Sequence, residues 1–356
     1  MYRNHTVAVV VPAYNESGLV GDVIRTVPDY VDRVYVVDDG STDDTWTEIT
    51  AAAAAVNEAT APAATDGAAR FDQRVVPIQH DQNRGVGGAI KTGYQRARAD
   101  AIDVTAVMGG DGQMRPEGLA AVLDPIVEGR ADYAKGNRLH VPETVQEMPR
   151  LRLLGNRVLT LLTKVASGYW GIGDPQNGYT AISLSALERV DIDGMYEFYG
   201  YCNDLLVACN REGLRVADVP REATYADEES HISLSTYVPR VSAMLLTNFL
   251  VRLREQYLRG PFHPTWLAYG TGLVTGLAGV GLALAEAVGG DGTRRGVRNA
   301  LSLSVVGALT FLAGTVLERR RFADRAVVAD SGDEADGDAP ADRSGSRTDE
   351  PEATAD

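Results

Sequence analysis

Lysine is almost missing from this chain. Lys91, Lys135 and Lys164 are the only three in 356 residues, and acidic side chains outnumber lysine plus arginine 49 to 34, for a formal net charge of −15. Such a chain offers no electrostatic footprint for a nucleic acid. An acidic, lysine-poor composition also points to a high-salt cytoplasm and a halophilic host. Cysteine is scarce. Cys202 and Cys209 stand alone, without disulfide or metal-site spacing, in keeping with a reducing compartment. No secretory leader is expected, because the first apolar run, Val7 to Pro12, is too short for one and ends in a Tyr-Asn-Glu turn.

What is present is an alternation of valine-rich runs and helical spacing. Residues 6–11, 33–37, 74–79 and 102–108 read as strands, with a further strand over 131–135. Pro77 puts the third of these on a sheet edge. Ser41 or Thr42 is expected to cap the helix after the second strand. Residues 51–69 read as a helix end and then a surface loop. This βαβα succession predicts an α/β domain with a mostly parallel sheet, flanked by helices on right-handed crossovers. Helical spacing follows over 151–165 and 204–212, and strands over 180–184 and 214–220.

The character changes after that. The stretch 237–258 is amphipathic with basic residues toward its end. Thr265 to Val288 then carries one charge, Glu286, and Asn299 to Leu317 carries none. Each is long enough to cross a hydrocarbon core, which takes roughly 20 helical residues. Gly272-x-x-x-Gly276 would let two such helices pack closely. Arg252, Arg254 and Arg259 precede the first span, Arg319, Arg320, Arg321 and Arg325 follow the second, and Arg294, Arg295 and Arg298 lie between. That excess predicts a two-span membrane protein with both ends cytoplasmic. The expected organisation is an α/β domain over 1–235, an amphipathic interfacial helix over 236–262, a transmembrane helical hairpin over 263–320 and a disordered acidic tail over 324–356.

Three turns follow three successive strands: Pro12 to Glu16, Asp38 to Asp43 and Gly109 to Gln113. In a parallel sheet they open on one edge, where ligands of α/β proteins bind. Tyr14 offers a face for a base, and Glu16 and Asp39 can accept hydrogen bonds from a base or ribose. Asp111 and Gln113 present hard oxygens suited to Mg²⁺ or Mn²⁺ beneath a pyrophosphate. Gly85-Val-Gly-Gly88 lacks the six-residue glycine spacing of a dinucleotide fingerprint. Its glycines are expected instead to let a helix start approach the nucleotide or sugar.

Pro12-Ala-Tyr-Asn-Glu16, Val36-Val-Asp-Asp-Gly-Ser-Thr-Asp43, Asn83 to Ala89, Asp111-Gly-Gln113, Gly136-Asn-Arg138 and Asp174-Pro-Gln-Asn-Gly178 appear in the order seen in glycosyltransferase family 2. Over about residues 5 to 320 the chain resembles the dolichyl-phosphate (polyprenyl-phosphate) hexosyltransferases with a membrane hairpin. The resemblance implies a GT-A fold, a GDP- or UDP-hexose donor, Mg²⁺ or Mn²⁺, inversion at the anomeric carbon, and a role in protein glycosylation at the cell membrane. By position, Pro12, Tyr14, Glu16, Asp39, Gly85, Gly87 and Asp111 would hold the nucleotide sugar. Asp111 and Gln113 would hold the metal, and Arg138, Arg152 and Asn156 the acceptor phosphate. The catalytic set would be Asp111, Arg138, Arg152 and Asp204. Two departures stand out. Gly109 occupies the place of the family's first metal-motif aspartate, and Tyr225 to Ser233 lacks the arginine of the family's loop there.

The acceptor decides whether a base is needed. A sugar hydroxyl must lose a proton to a nearby carboxylate, for which Asp204 is the candidate, although a helix-capping role fits Asp204 equally. A lipid phosphate, with its second pKa near ~6, is largely charged already and needs only placing by cations such as Arg138 and Arg152. Arg150, Arg152 and Arg157 could also be a basic face beside anionic lipid. A non-catalytic nucleotide-sugar-binding membrane protein is the third alternative. The oligomeric state is not legible.

Overall fold

Valine sorting on the first strand sets the architecture. Strand β1 (Val7–Ala13) is buried on both faces. Val7, Val9 and Val11 enter one core and Ala8 and Val10 the other, as the two-residue period of a strand requires. The computed structural model describes residues 1–60, 71–140, 150–221, 234–258, 263–288 and 294–328. Within them β2 (Arg33–Asp38), β3 (Val75–Gln79), β4 (Val104–Val107), β5 (Tyr133–Asn137), β6 (Thr180–Ser183), β7 (Val216–Pro220) and β8 (Ala326–Val328) join β1 in one sheet. The strand order is β3-β2-β1-β4-β6-β5-β7-β8. All neighbours run parallel except β6, which is antiparallel to both β4 and β5. Pro77 lies on the edge strand, as its missing N–H demands.

Helices α1 (Val20–Thr26), α2 (Thr45–Ala59) and α4 (Leu119–Val127) cover one face through Ile24, Ile49, Leu119 and Leu123. The other face is covered by α3 (Val86–Ala99), α6 (Leu184–Arg189) and α7 (Tyr201–Arg211) through Ile90, Tyr94, Leu187, Leu205 and Leu206. Each fully buried Val, Ile or Leu contributes about 1.5–3 kcal/mol, so these two layers fix the domain. Beyond them, α5 (Arg150–Ser167) and α8 (Leu234–Leu253) pack together with α7, through Leu159, Val207, Val241, Leu245 and Phe249.

Local starts differ from expectation in two places. Asp43, not Ser41 or Thr42, accepts from Thr45 N at the start of α2 (3.0 Å), because Ser41 and Thr42 are taken up by Asn15. Helix α7 begins at Tyr201 after Gly200 (φ +111°), three residues ahead of the expected start. The fifth strand lies at Tyr133–Asn137 rather than 131–135.

Helices α9 (Pro264–Val288) and α10 (Arg294–Arg321) form an antiparallel apolar pair with only 11% and 22% of their most apolar stretches buried. So exposed a hairpin is not the core of a soluble domain, and it marks the C-terminal part as membrane-associated. The backbones meet on glycine: a Cβ at Gly272 would lie 2.5 Å from Phe311 N, and one at Gly307 would overlap the backbone of Gly276. One expectation needs correcting. The acidic tail is not unstructured from 324, because Ala326–Val328 pairs in parallel with β7; residues 329–356 lie outside the described residues. Arg252, counted among the basic residues before the first span, is fully buried against Glu318.

Candidate active site

The first two motifs are stitched together. Asn15, in the left-handed region (φ +55°), donates its N–H to Ser41 Oγ (3.0 Å) and accepts from Thr42 N (2.9 Å) on its side-chain oxygen. Glu16 N donates to Thr45 Oγ1 (2.8 Å). The loop after β4 joins them through Gly110 N donating to Pro12 O (3.0 Å). The turns after β1, β2 and β4 therefore converge on one sheet edge, with Tyr14 left 44% exposed beside them.

Asp111 bends back over its own turn. It accepts from Gln113 N (3.0 Å), and its Oδ1 lies 2.9 Å from where a Cβ on Gly109 would stand. The Asp111 carboxylate thus fills the room that a side chain at 109 would use. Among the described residues no group of three or more His, Cys, Asp or Glu side chains gathers as a metal cage. One carboxylate and one amide oxygen are nevertheless enough for an ion that shares the rest of its shell with phosphates and water. Beside this loop opens a cavity of 360 Å³, bordered by Arg115, Glu117, Tyr179 and Arg221.

Arg221, which sequence reasoning passed over, sits just past β7. Its Nη2 donates to Gln113 O (2.9 Å), and its guanidinium lies 4.6 Å from the centre of the Tyr179 ring. Burial lowers its pKa, with Tyr179, Arg138, Asp111 and Asp174 all close enough to act on its charge. It is a fixed cation facing the Asp111 turn. Arg138 is held by a two-pronged pair to Asp174 (2.7 and 3.0 Å). Asp174 is 1% exposed and has φ +35°, a strained backbone for any residue but glycine. Burial pushes its carboxyl up, but the Arg138 fork outweighs that and holds it below its ordinary value.

A buried lysine supports this turn. Lys135 donates to Asp218 Oδ1 (2.8 Å), Gly173 O (2.6 Å) and Gly136 O (3.0 Å), so all three of its protons are placed. Asp218 also accepts from Gly173 N (3.1 Å). Asn156 reaches the same turn, accepting from Gln176 Nε2 (3.1 Å). Arg152 lies in the first turn of α5, but its side chain, like all of Tyr225 to Ser233 and His231 within it, falls outside the described residues.

Four expected site residues are occupied in other ways. Asp39 accepts from Arg84 N (2.9 Å), Gly85 N (2.7 Å) and His80 Nδ1 (2.7 Å), so it pins the 83–85 loop. Gly85 and Gly87 come up against protein backbone at close range. A Cβ at Gly85 (φ +88°) would lie 2.6 Å from Glu197 O, and one at Gly87 would overlap Tyr196 O. Their bareness admits the 196–198 loop, which Glu197 ties down to Arg84 and Lys91. Asp204 accepts from Tyr196 N (2.8 Å) and from Asn248 Nδ2 (2.6 Å) on α8. Burial raises its pKa against those two hydrogen bonds.

The turns after β1 and β2 thus meet the Asp111 turn after β4 at one sheet edge, with Arg221 donating to that turn and Arg138 close enough to act on its charge. The Glycosyl transferase family 2 model matches residues 8–191, and the chain belongs to this family. It is 29% identical over 220 residues to the UDP-N-acetylglucosamine–dolichyl-phosphate N-acetylglucosaminyltransferase of Methanococcus voltae, spanning 62% of this chain and 86% of that one. Glycosyltransferase AglD of Haloferax volcanii is 27% identical over 224 residues, 60% of this chain and 32% of its own. Glucosyl-3-phosphoglycerate synthase from Mycobacterium tuberculosis, solved with Mn²⁺, UDP and glucosyl-3-phosphoglycerate, superposes with a TM-score of 0.47 at 19% identity, over 70% of this chain and 80% of that one. The protein is a family 2 glycosyltransferase related to the dolichyl-phosphate sugar transferases.

Proposed function

We propose that this enzyme moves a hexose, with inversion, from a GDP- or UDP-linked donor to dolichyl or polyprenyl phosphate at the cytoplasmic membrane face. One observation carries the reading. Arg221 donates to the Asp111 turn with Arg138 close enough to act on its charge, and the helix that brings Asn156 to Gln176, beside the Asp174 partner of Arg138, exposes Leu154, Val158, Leu161 and Leu162. Apolar surface adjoining a phosphate-type site fits an acceptor with a charged head and a lipid tail.

The lipid phosphate needs placing rather than deprotonating. Arg138, already oriented by Asp174, and Arg152 would hold it, and Asn156 would fix its approach. Asp111 and Gln113 would hold Mg²⁺ or Mn²⁺, which when bound draws off charge on the departing nucleoside diphosphate. Arg221 adds a permanent positive charge on the same side, in a chain whose 225–233 segment carries no arginine. Asp204, engaged by Tyr196 and Asn248, acts as a tie between the 196–198 loop and α8 rather than as a base.

The test supplies membranes holding the enzyme and polyprenyl phosphate with radiolabelled GDP-mannose, UDP-glucose or UDP-N-acetylglucosamine, one at a time, and extracts the lipid. Label from one donor enters the organic phase, and Arg152→Ala abolishes it while donor binding persists. Label on a glycan alone, lost in Asp204→Asn, would overturn the assignment.

A further inference from the structure

We propose that the buried Arg252–Glu318 pair is a positioning device: it fixes the far end of α5 to the apolar hairpin, and so sets how a membrane-embedded acceptor meets the site. The proposal rests on the acceptor reading above. Arg252, on α8, is wholly buried. Its Nε donates to Ala166 O (2.7 Å) and its Nη2 to Val165 O (2.9 Å). Those carbonyls belong to the last turn of α5, which a helix leaves without partners of its own. The same guanidinium grips both Glu318 oxygens (2.7 and 3.2 Å) near the end of α10. Glu318 also accepts from Tyr257 Oη and from Tyr269 Oη at the start of α9, each at 3.0 Å. The chain leaves α5 through Gly168 (φ +79°), where a Cβ would lie 2.9 Å from Arg252 Nη1. The Arg252–Glu318 pair therefore joins α5, α8 and α10 directly, and α9 through Tyr269.

A charge pair so deeply buried is a poor device for stability, since an apolar pair of like volume does as well or better. What it fixes is geometry. Helix α5 then acts as a rod about 15 Å long between Ala166 and Asn156, at 1.5 Å per residue. Its near end is independently held by the Asn156–Gln176 bond. Loosening the knot frees the rod against the hairpin while leaving the site's own contacts in place.

The test uses full-length enzyme in liposomes, comparing wild type with Glu318→Gln and, as a milder lesion, Tyr269→Phe. Two acceptors are supplied at saturating donor: a long polyprenyl phosphate in the bilayer and a short, water-soluble prenyl phosphate. For Glu318→Gln the expected result is a KM for the embedded acceptor raised about tenfold or more, with kcat and both the donor and short-acceptor KM within about twofold. Amide exchange in the last turn of α5 accelerates in both variants, more in Glu318→Gln. Equal losses on both acceptors, or no change in either, overturn the proposal. Unchanged exchange overturns it as well. A wild-type enzyme inert toward both acceptors would sink the acceptor reading instead, and the exchange experiment separates the two failures because it needs no turnover.

Discussion

Asp174 shows how much of this site depends on one strained residue. It holds a positive φ because Lys135 and Asp218 grip the preceding Gly173, and it spends both oxygens on Arg138. Asp174→Asn leaves Arg138 without a counter-charge, at a cost of about 3–5 kcal/mol, read as a lower midpoint in chemical denaturation. The pH dependence has a definite sign. The folded carboxyl lies below its ordinary 3.8, so its stabilisation is complete above that value and lost as pH falls through the folded pKa. Wild type and Asp174→Asn converge in stability only in that acid range. Arg221→Ala removes the cation beside the Asp111 turn. Transfer should fall roughly 100-fold, the scale of losing one charge stabiliser, with the melting temperature little changed. Arg221→Lys, lacking the planar fork, restores only part of the rate. Of these residues, Asp111 and Gln113 are legible in the sequence because a strand end announces them. Asp174 and Arg138 are 36 positions apart and Lys135 and Asp218 83 apart. Pairs made by folding leave no periodic trace.

Among the elements, the strands of the N-terminal half show in their valine alternation, and the apolar helices in their length. The insertion of β6 between β4 and β5 does not. A four-residue strand, Thr-Ala-Ile-Ser, has no signal for direction or neighbour. The glycines divide the same way. Gly272 and Gly276 do in the hairpin what their spacing foretells, meeting Phe311 and Gly307. Gly85 and Gly87 serve a loop more than 100 residues distant (Gly88 N to Glu197 O, 2.9 Å), which no local pattern reveals. Gly307→Leu should therefore splay the hairpin. Distance measurements between labels at the two helix centres would show the separation rising from close glycine contact toward the 8–10 Å typical of packed helices. An unchanged distance would contradict backbone contact there.

On the scale of the whole molecule, the chain returns to the catalytic sheet after its two apolar helices. Four residues separate the end of α10 at Arg321 from β8 at Ala326. If the hairpin spans a bilayer, both of its ends must lie on the side of the catalytic domain. A reporter fused after Asp356 and one fused before Met1 should then be modified by the same impermeant reagent from the same side. Opposite labelling would mean that the pair does not cross as a hairpin. The basic-residue count alone is a poorer guide, since Arg252 is spent on Glu318.

That closing strand has a consequence for biosynthesis. A growing polypeptide cannot finish its transferase domain when residue 221 leaves the ribosome, because the edge beside β7 stays open until residues 326–328 emerge. If the hairpin spans a bilayer, completion of the sheet thus waits on that insertion, and a nascent chain stalled before it carries an unpaired strand edge, the kind of surface that chaperones and proteases recognise.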